Sequence, residues 1–467
     1  MLSILTTMNI KKSWKEIAFF ILLIAPATAI KIFYLNINKA LWWDEAVFML
    51  QAKHYVFGTV NTGWWAGKGF LLPVLLTTVG ANELAAKILM LFFSTGVLLL
   101  VYLISKRFFD IRVAAVATIF SSFIWLDLFY TPKILSDIPS VFFALLAVYL
   151  LFFESKKHKQ LPSILAGVFL LVAGMIRFNA WVLLPALAIA LLFFERKKLL
   201  YLLLGFALMF GVYAAISFSM YGDPLYEPKQ FFTANIGGQK IGATDFGTIF
   251  GSLPTSLSWP VVLLAFVGIA LGFMHKKVIF LFVVSFAFLV PYLFAILFDL
   301  RYAMYIYPML AVLGAFGLFR LLDKFKLTKF QILAAVAIAI FVAYLQIPIA
   351  TSQLEGRADS YLEVKQSTEW MAANSLTGDI IMTASQPQVT YYSERQTVLI
   401  PQTEEEFNTT IEQTKPKYIM ISFYETHPEY IQPALQDSSR FRPVLALAQP
   451  GTNNTVLIVF EYTPTGT

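Results

Sequence analysis

The stretch "NKALWWDEAVFMLQAKHYV", residues 38–56, sets adjacent carboxylates, Asp44 and Glu45, behind two tryptophans. A positioned carboxylate can take the proton of an attacking hydroxyl as its new bond forms. The same pair can instead start a helix, with Asp44 as its cap and Glu45 in the first turn, where carboxylates suit the dipole. The tryptophans fit an aromatic belt at a membrane surface. A cap also fixes a carboxylate's direction, so capping and catalysis are compatible. His54, in the same stretch, either faces such a site or sits on the surface.

A further acid, Asp137, stands in "KILSDIPSVFF" with Pro139 in the first turn, where proline is tolerated. It is a helix cap or a site residue. In "LFDLRYAMYIYPML", Asp299 and Arg301 occupy a very short connection between apolar segments, followed by Tyr302. Ions at a membrane boundary are expensive enough to be site candidates, with a local Asp299–Arg301 pair as the simpler account. Lys68 lies between glycines that permit close backbone approach, and Arg177 ends an apolar segment in "GMIRFNAW". Either cation can snorkel to the interface. Three cations kept on the side of the acids point to an anionic partner. A phosphate fits, because Arg grips it bidentately and Lys supplies a point charge.

The elements that must position these residues are apolar. The chain has 467 residues, is 58% hydrophobic and 13% charged, and has a mean hydropathy of +0.70. Soluble domains carry about 25% charged residues. Segments near the ~17–25 residues needed to cross a bilayer recur at 17–35, 84–105, 113–130, 138–153, 161–176, 180–194, 199–221, 257–274, 278–298, 302–319 and 328–348. The first follows Lys11, Lys12 and Lys15, but it lacks a small-residue cleavage site, so it is read as a retained span. Net charge is +7, and 18 of the 35 Lys and Arg fall in the N-terminal tail and in clusters at 106–112, 156–159, 196–198, 276–277 and 320–329. That is the positive-inside pattern of a membrane protein, not the footprint of a nucleic-acid partner.

The expected architecture is therefore an α-helical polytopic membrane protein of about eleven spans, its N-terminus cytoplasmic and its site and C-terminal region extracytoplasmic. "FLLPVLLTTVG" (70–80) is short and proline-broken, and is expected as a juxtamembrane helix on the outer face. The outer connections 36–83, 131–137, 177–179, 222–256 and 299–301 then hold nearly all the unusual polar residues. Loop 222–256 is the expected acceptor or lipid-tail surface. The sequence has no cysteine, which excludes disulfides and thiolate chemistry and fits a bacterial or archaeal plasma membrane.

A boundary at 348/349 separates the spans, residues 1–348, from a small α/β domain, residues 349–467. In the latter, Asp359 is expected to cap a helix over 359–374, and Thr403-x-x-Glu406 has the capping-box pattern. "DIIMTA", "YIMISFY", "FRPVLALA" and "NTVLIVFEY" read as strands. No glycine-rich phosphate loop is present, so no nucleotide is assigned. Asn408 and Asn453 open Asn-x-Thr sequons. Of the four histidines, His158 and His275 lie in inner basic loops and His427 is expected to open a helix; no spacing suggests zinc.

These motifs, in this order, resemble the GT-C membrane glycosyltransferases, specifically the protein O-mannosyltransferase and aminoarabinose-transferase-like family. The resemblance rests on the Asp-Glu pair after the first span, "GKGFLLPVLLTTVGANELAAKI", "SKRFFDIRVAA", "YTPKILSDIPSVFFALLAVYLLFF" and "RYAMYIYPMLAVLGAFGL", and covers residues 15 to 350. It implies sugar transfer with inversion from a polyprenyl-phosphate donor to a protein, lipid or glycan acceptor at the outer face. Asp44 would be the base and Glu45 an acceptor-side partner. Lys68, Arg177 and Arg301 would lie near the donor phosphate, with Asp137, Tyr302 and His54 as further candidates. "LWWDE" shares only letters with the Trp-Trp-Asp-Tyr-Gly signature, which disfavours an oligosaccharyltransferase.

The residue chemistry agrees with that implication. Charge developing on a phosphate leaving group can be stabilised by preorganised cations without a metal. Mg or Mn held by Asp44 or Asp137 stays open, since carboxylates suit both. A transporter or flippase is the competing class, but transporters place polar residues near the midplane of repeated halves. A membrane anchor for a partner-binding outer domain would leave the cations on the short outer connections without a role.

Overall fold

The computed structural model describes residues 10–153, 159–234, 246–294, 299–449 and 451–464. His158 and residues 235–245 of the expected acceptor loop lie outside the described residues. The chain forms two compact units that do not follow chain order. One is helical and comprises Met1–Leu35, Ala66–Leu71 and Lys87–Leu354; the other comprises Asn36–Trp65, Leu72–Ala86 and Glu355–Thr467.

In the helical unit every expected apolar segment contains a helix. A helix closes its own backbone hydrogen bonds, which an apolar surrounding requires. Trp14–Phe33, Glu83–Phe108, Arg196–Tyr221 and Thr328–Glu355 are long and apolar enough to cross a membrane. Gly251–Leu257 and Trp259–Gly272, bent by 113° at their break, make a fifth if taken as one span. The others are shorter, including Asp137–Phe152 and Leu161–Ile176. The helix Gln331–Glu355 runs through the 348/349 boundary with Pro348 inside it.

Small residues let these helices approach. A Cβ on Gly167 would meet the Leu202 carbonyl, and one on Gly205 the Ile164 carbonyl, so Leu161–Ile176 and Arg196–Tyr221 touch backbone to backbone. Gly268 and Gly317 do the same for Trp259–Gly272 and Tyr307–Lys324.

The segment 113–130 is not one helix. Ile111–Phe123 ends at Ile124, whose backbone is extended, and Trp125–Tyr130 begins a new helix. The Trp125 N–H freed by the break donates to Gln346 Oε1 at 3.1 Å. The break also sets Asp127 into a buried network. Lys31 Nζ lies 2.5 Å from Asp127 Oδ2 and 2.7 Å from Ser94 Oγ, and Ser94 donates to Asp127 Oδ1 at 3.0 Å.

The second unit holds a five-stranded sheet of order β2-β1-β3-β5-β4, with β1 Ile380–Thr383, β2 Gln396–Val398, β3 Tyr418–Ser422, β4 Phe441–Ala448 and β5 Thr455–Tyr462. β1 pairs in parallel with β2 and β3, while β5 is antiparallel to β3 and β4. Alternation along β3 sends Ile419 and Ile421 to one core with Phe407 and Ile411, and Tyr418 and Met420 to the other with Val364 and Met371. β2 carries no strand signal of its own, because its Gln-Thr-Val is short and largely polar, and it forms by pairing with β1.

Two helix starts in this unit differ from expectation. Asp359 does not cap: the helix is Leu362–Ala373, entered through Tyr361 at φ 63, and Asp359 pairs with Lys39 at 2.7 Å. His427 opens no helix; its Nε2 is 2.7 Å from the Ser422 carbonyl, and the next helix is Ile431–Leu435. Thr403 does cap Glu404–Thr414, accepting from Glu406 N at 3.3 Å.

Candidate functional site

In the helical unit, Asp137 is the first residue of Asp137–Phe152, and Ser136 before it makes no side-chain cap. Asp137 is fully buried and is not a cap. Its partner is Arg177, the residue that ends Leu161–Ile176, whose extended backbone turns the chain out of the helix. Arg177 Nη1 donates to Asp137 Oδ2 at 3.3 Å and to Ser136 Oγ at 3.1 Å. A carboxylate with no exposed surface is tolerable only with such a partner. Arg177 Nε and Asp137 Oδ1 are nonetheless buried with no hydrogen-bond partner.

The turn Leu300–Tyr305 completes this cluster. Asp299 caps it, accepting from Arg301 N, and also binds Arg301 Nε at 2.9 Å, so the simpler ion-pair account of these two is what the fold contains. The Arg177 guanidinium lies 5.6 Å from the centroid of the Tyr302 ring, and Arg301 is near enough to repel it. Tyr305 donates to Ser140 Oγ at 2.6 Å, and Ser140 donates to the Ala173 carbonyl at 2.8 Å. Those bonds tie the turn to the ends of both helices. Asp137, Arg177, Arg301 and Tyr302 are thus brought together from three places in the chain.

Lys68 belongs to the same unit, in the short turn Ala66–Lys68. Gly69 takes φ +79, and a Cβ there would stand 2.6 Å from the Met175 carbonyl, so only glycine lets this turn press on the helix end that presents Arg177. Phe70 stacks on Tyr213 with ring centroids 6.2 Å apart. Beneath it lies a residue the sequence did not single out. Glu227 is fully buried and accepts from the Tyr213 hydroxyl at 3.3 Å. Burial pushes its carboxyl up to about 7, against the lowering effect of the Tyr213 hydroxyl and the Phe70 N–H. Nothing in "GDPLYEPKQ" distinguishes it from a solvated loop acid.

Asp44 and Glu45 lie in the second unit, on the helix Trp43–Phe57. Here the expectation is corrected: Glu45, not Asp44, serves the helix start. Glu45 Oε2 accepts the Trp42 N–H at 2.9 Å, and its side chain is buried. Asp44 is half-exposed, and close enough to Tyr361 to help burial and Glu425 raise that phenol. Trp42 carries the Arg357 guanidinium 5.8 Å from its ring. His54 Nδ1 is 2.6 Å from the Thr59 carbonyl, closing the turn after the helix at Gly58.

The Gln386–Ser393 helix holds this segment. Tyr392 Oη accepts the Leu41 N–H at 2.8 Å, and Gln388 Nε2 donates to the Leu41 carbonyl at 3.1 Å. Lys53 pairs with Glu394 at 2.6 Å. Among the described residues no group of three or more His, Cys, Asp or Glu is arranged to hold a metal ion.

Residues 68–220 match the family model of dolichyl-phosphate-mannose-protein mannosyltransferases. No curated protein matches the chain in sequence. By fold, the chain is similar to ArnT from Cupriavidus metallidurans bound to undecaprenyl phosphate, with 11% identity, a TM-score of 0.66, and coverage of 94% of this chain and 97% of that one. It is also similar to the Archaeoglobus fulgidus oligosaccharyltransferase, at 13% identity and a TM-score of 0.65, covering 97% of this chain and 75% of that one. Mycobacterial arabinofuranosyltransferase AftD shares 12% identity at a TM-score of 0.56, over 94% of this chain and 41% of that one. About a third of the chain thus matches the protein-mannosyltransferase family model, and nearly its whole length has the fold of the membrane glycosyltransferase ArnT.

Proposed function

We propose that the protein transfers a sugar from a polyprenyl-phosphate donor to an acceptor hydroxyl or amine on a protein, lipid or glycan. The reaction inverts the sugar and takes place at the extracytoplasmic face. The observation that carries this reading is the buried Arg177–Asp137 pair, inside the matched segment, with Arg301 from farther along the chain beside it. Arg177 keeps an uncommitted Nε donor, and a phosphate oxygen is the ligand that a guanidinium fork fits. The ArnT relative holds undecaprenyl phosphate, and the archaeal relative AglB a dolichol-phosphate, which is the donor chemistry assigned here.

Lys68, Arg177 and Arg301 stabilise charge developing on the departing phosphate, with Asp137 and Tyr302 holding Arg177 in place. Asp44 takes the acceptor's proton. Glu45 is assigned to fixing the helix that presents Asp44, because its carboxylate is buried and occupied by the Trp42 amide. The decisive experiment incubates purified protein with radiolabelled polyprenyl-phosphate sugars and measures transfer. Asp44→Asn abolishes turnover while donor binding persists. Full turnover in that variant overturns the assignment of the base.

A further inference from the structure

The helical unit has a second polar end. Asp137–Phe152 carries the buried acid at its first residue and Phe152 at its last, and 16 residues of helix span about 24 Å. Around Phe152 lies a cavity of about 480 Å³ into which Arg107, Lys198, Lys276 and Lys277 converge, with Glu195 as the one acid among the described residues that line it. Phe108 and Phe280 stand beside Phe152, both rings packed edge-on to it at 4.5 and 4.9 Å. A second cavity of about 320 Å³ shares Arg107 and Phe152 and continues past Leu103, Lys106, Tyr149 and Phe153. The two cavities meet at Arg107 and Phe152 as a groove whose first part is cationic and whose second sets Leu103, Tyr149 and Phe153 beside Lys106, itself paired with Glu16.

The electrostatics of this end favour an anion. Two long helices, Arg196–Tyr221 and Lys276–Phe294, begin at the cavity and aim their positive dipole ends toward it. The C-terminal carbonyls of the neighbouring helices are already answered, since Lys277 donates to the Phe108 carbonyl at 2.7 Å and Arg107 to the Phe152 carbonyl at 3.2 Å. Lys198 pairs with Glu195 at 3.1 Å, and Lys276 is exposed. Among the described residues lining this cavity, four cations and two helix starts therefore face one acid.

We propose that this groove binds an anionic phospholipid of the membrane leaflet at that end, its phosphate among Lys198, Lys276 and Lys277 and an acyl chain along Tyr149 and Phe153. Basic pockets between spans on the side where a membrane protein's loops are basic suit such headgroups. The adjoining Leu103, Tyr149 and Phe153 are what separates a lipid from a free phosphate.

Native mass spectrometry of the full-length protein, delipidated and titrated with phosphatidylglycerol or phosphatidylcholine, tests this. Phosphatidylglycerol is retained in preference, and retention weakens roughly fivefold for each lysine removed in Lys198→Gln and Lys276→Gln. Glu195→Gln strengthens retention, a gain that misfolding cannot produce. Lys417→Gln, in the other unit, leaves it unchanged. Equal retention of phosphatidylcholine, wild-type retention in the double lysine variant, or full displacement by glycerol phosphate each overturns the proposal.

Discussion

The Leu41 N–H is donated to the Tyr392 hydroxyl at 2.8 Å, across 351 residues of chain. Three residues after Leu41 stands Asp44, so the second unit's C-terminal part sets where the proposed base is presented. Tyr392→Phe removes one part-buried hydrogen bond, a cost of about 1 kcal/mol. Combined with Lys53→Ala, which breaks the pair to Glu394, it loosens both ends of the Trp43–Phe57 helix. Transfer by this double variant falls at least tenfold while donor retention is unchanged. A donor-binding loss equal to the turnover loss would contradict this role.

Arg177 and Asp137 depend on each other. Arg177→Ala strands a fully buried carboxylate and destabilises the helical unit by about 3–5 kcal/mol, read as a lowered melting temperature. Arg177→Lys keeps the charge but loses the fork, so it folds and raises the donor KM more than it lowers kcat. A kcat-only effect would remove Arg177 from the donor phosphate.

The helices and most of the sheet were legible because their signals are local: apolar length, basic clusters, strand alternation. The Arg177 cluster was legible as a list, since charge at a membrane boundary is conspicuous in any sequence. Its pairing was not, because Asp137, Arg177 and Arg301 meet only through the crossing of helices far apart in sequence. Asp44 as the cap was a plausible local reading that the neighbouring Glu45 wins: at the third helical position its longer side chain reaches back to the Trp42 N–H. Lys31 and Asp127 lie inside apolar runs, and the break at Ile124 that unites them leaves no proline or glycine mark.

That network yields its own prediction. Lys31 and Asp127 are almost wholly inaccessible, so removing one leaves an uncompensated charge in the bundle. Asp127→Leu alone lowers stability by about 3–5 kcal/mol. Lys31→Met with Asp127→Leu recovers most of it, because a well-packed apolar pair needs no counter-charge. Thermal unfolding of the three proteins in one detergent decides it, and a double variant as weak as the single would show that Ser94 and its neighbours need the ions.

Glu227 makes the helical unit sensitive to pH. Its carboxyl is held near 7 by burial, above the ordinary 4.5, so the folded state binds the proton more tightly than the unfolded chain. Stability from this group is complete below about 4.5 and is lost as pH rises toward 7, with a total on the order of 3 kcal/mol. Above pH 7 the ionised Glu227 sits buried under the Phe70 amide and Tyr213, and the turn carrying Lys68 is held by a charged group. Glu227→Gln keeps the shape and removes the titration, so its melting temperature is flat between pH 5 and pH 7.5, where the wild type declines. Because Gly69 and Phe70 continue directly from Lys68, the same variant shifts the pH profile of donor KM and leaves the profile of kcat in place. A wild-type melting curve without that slope would mean that Glu227 is ionised throughout and that water reaches it.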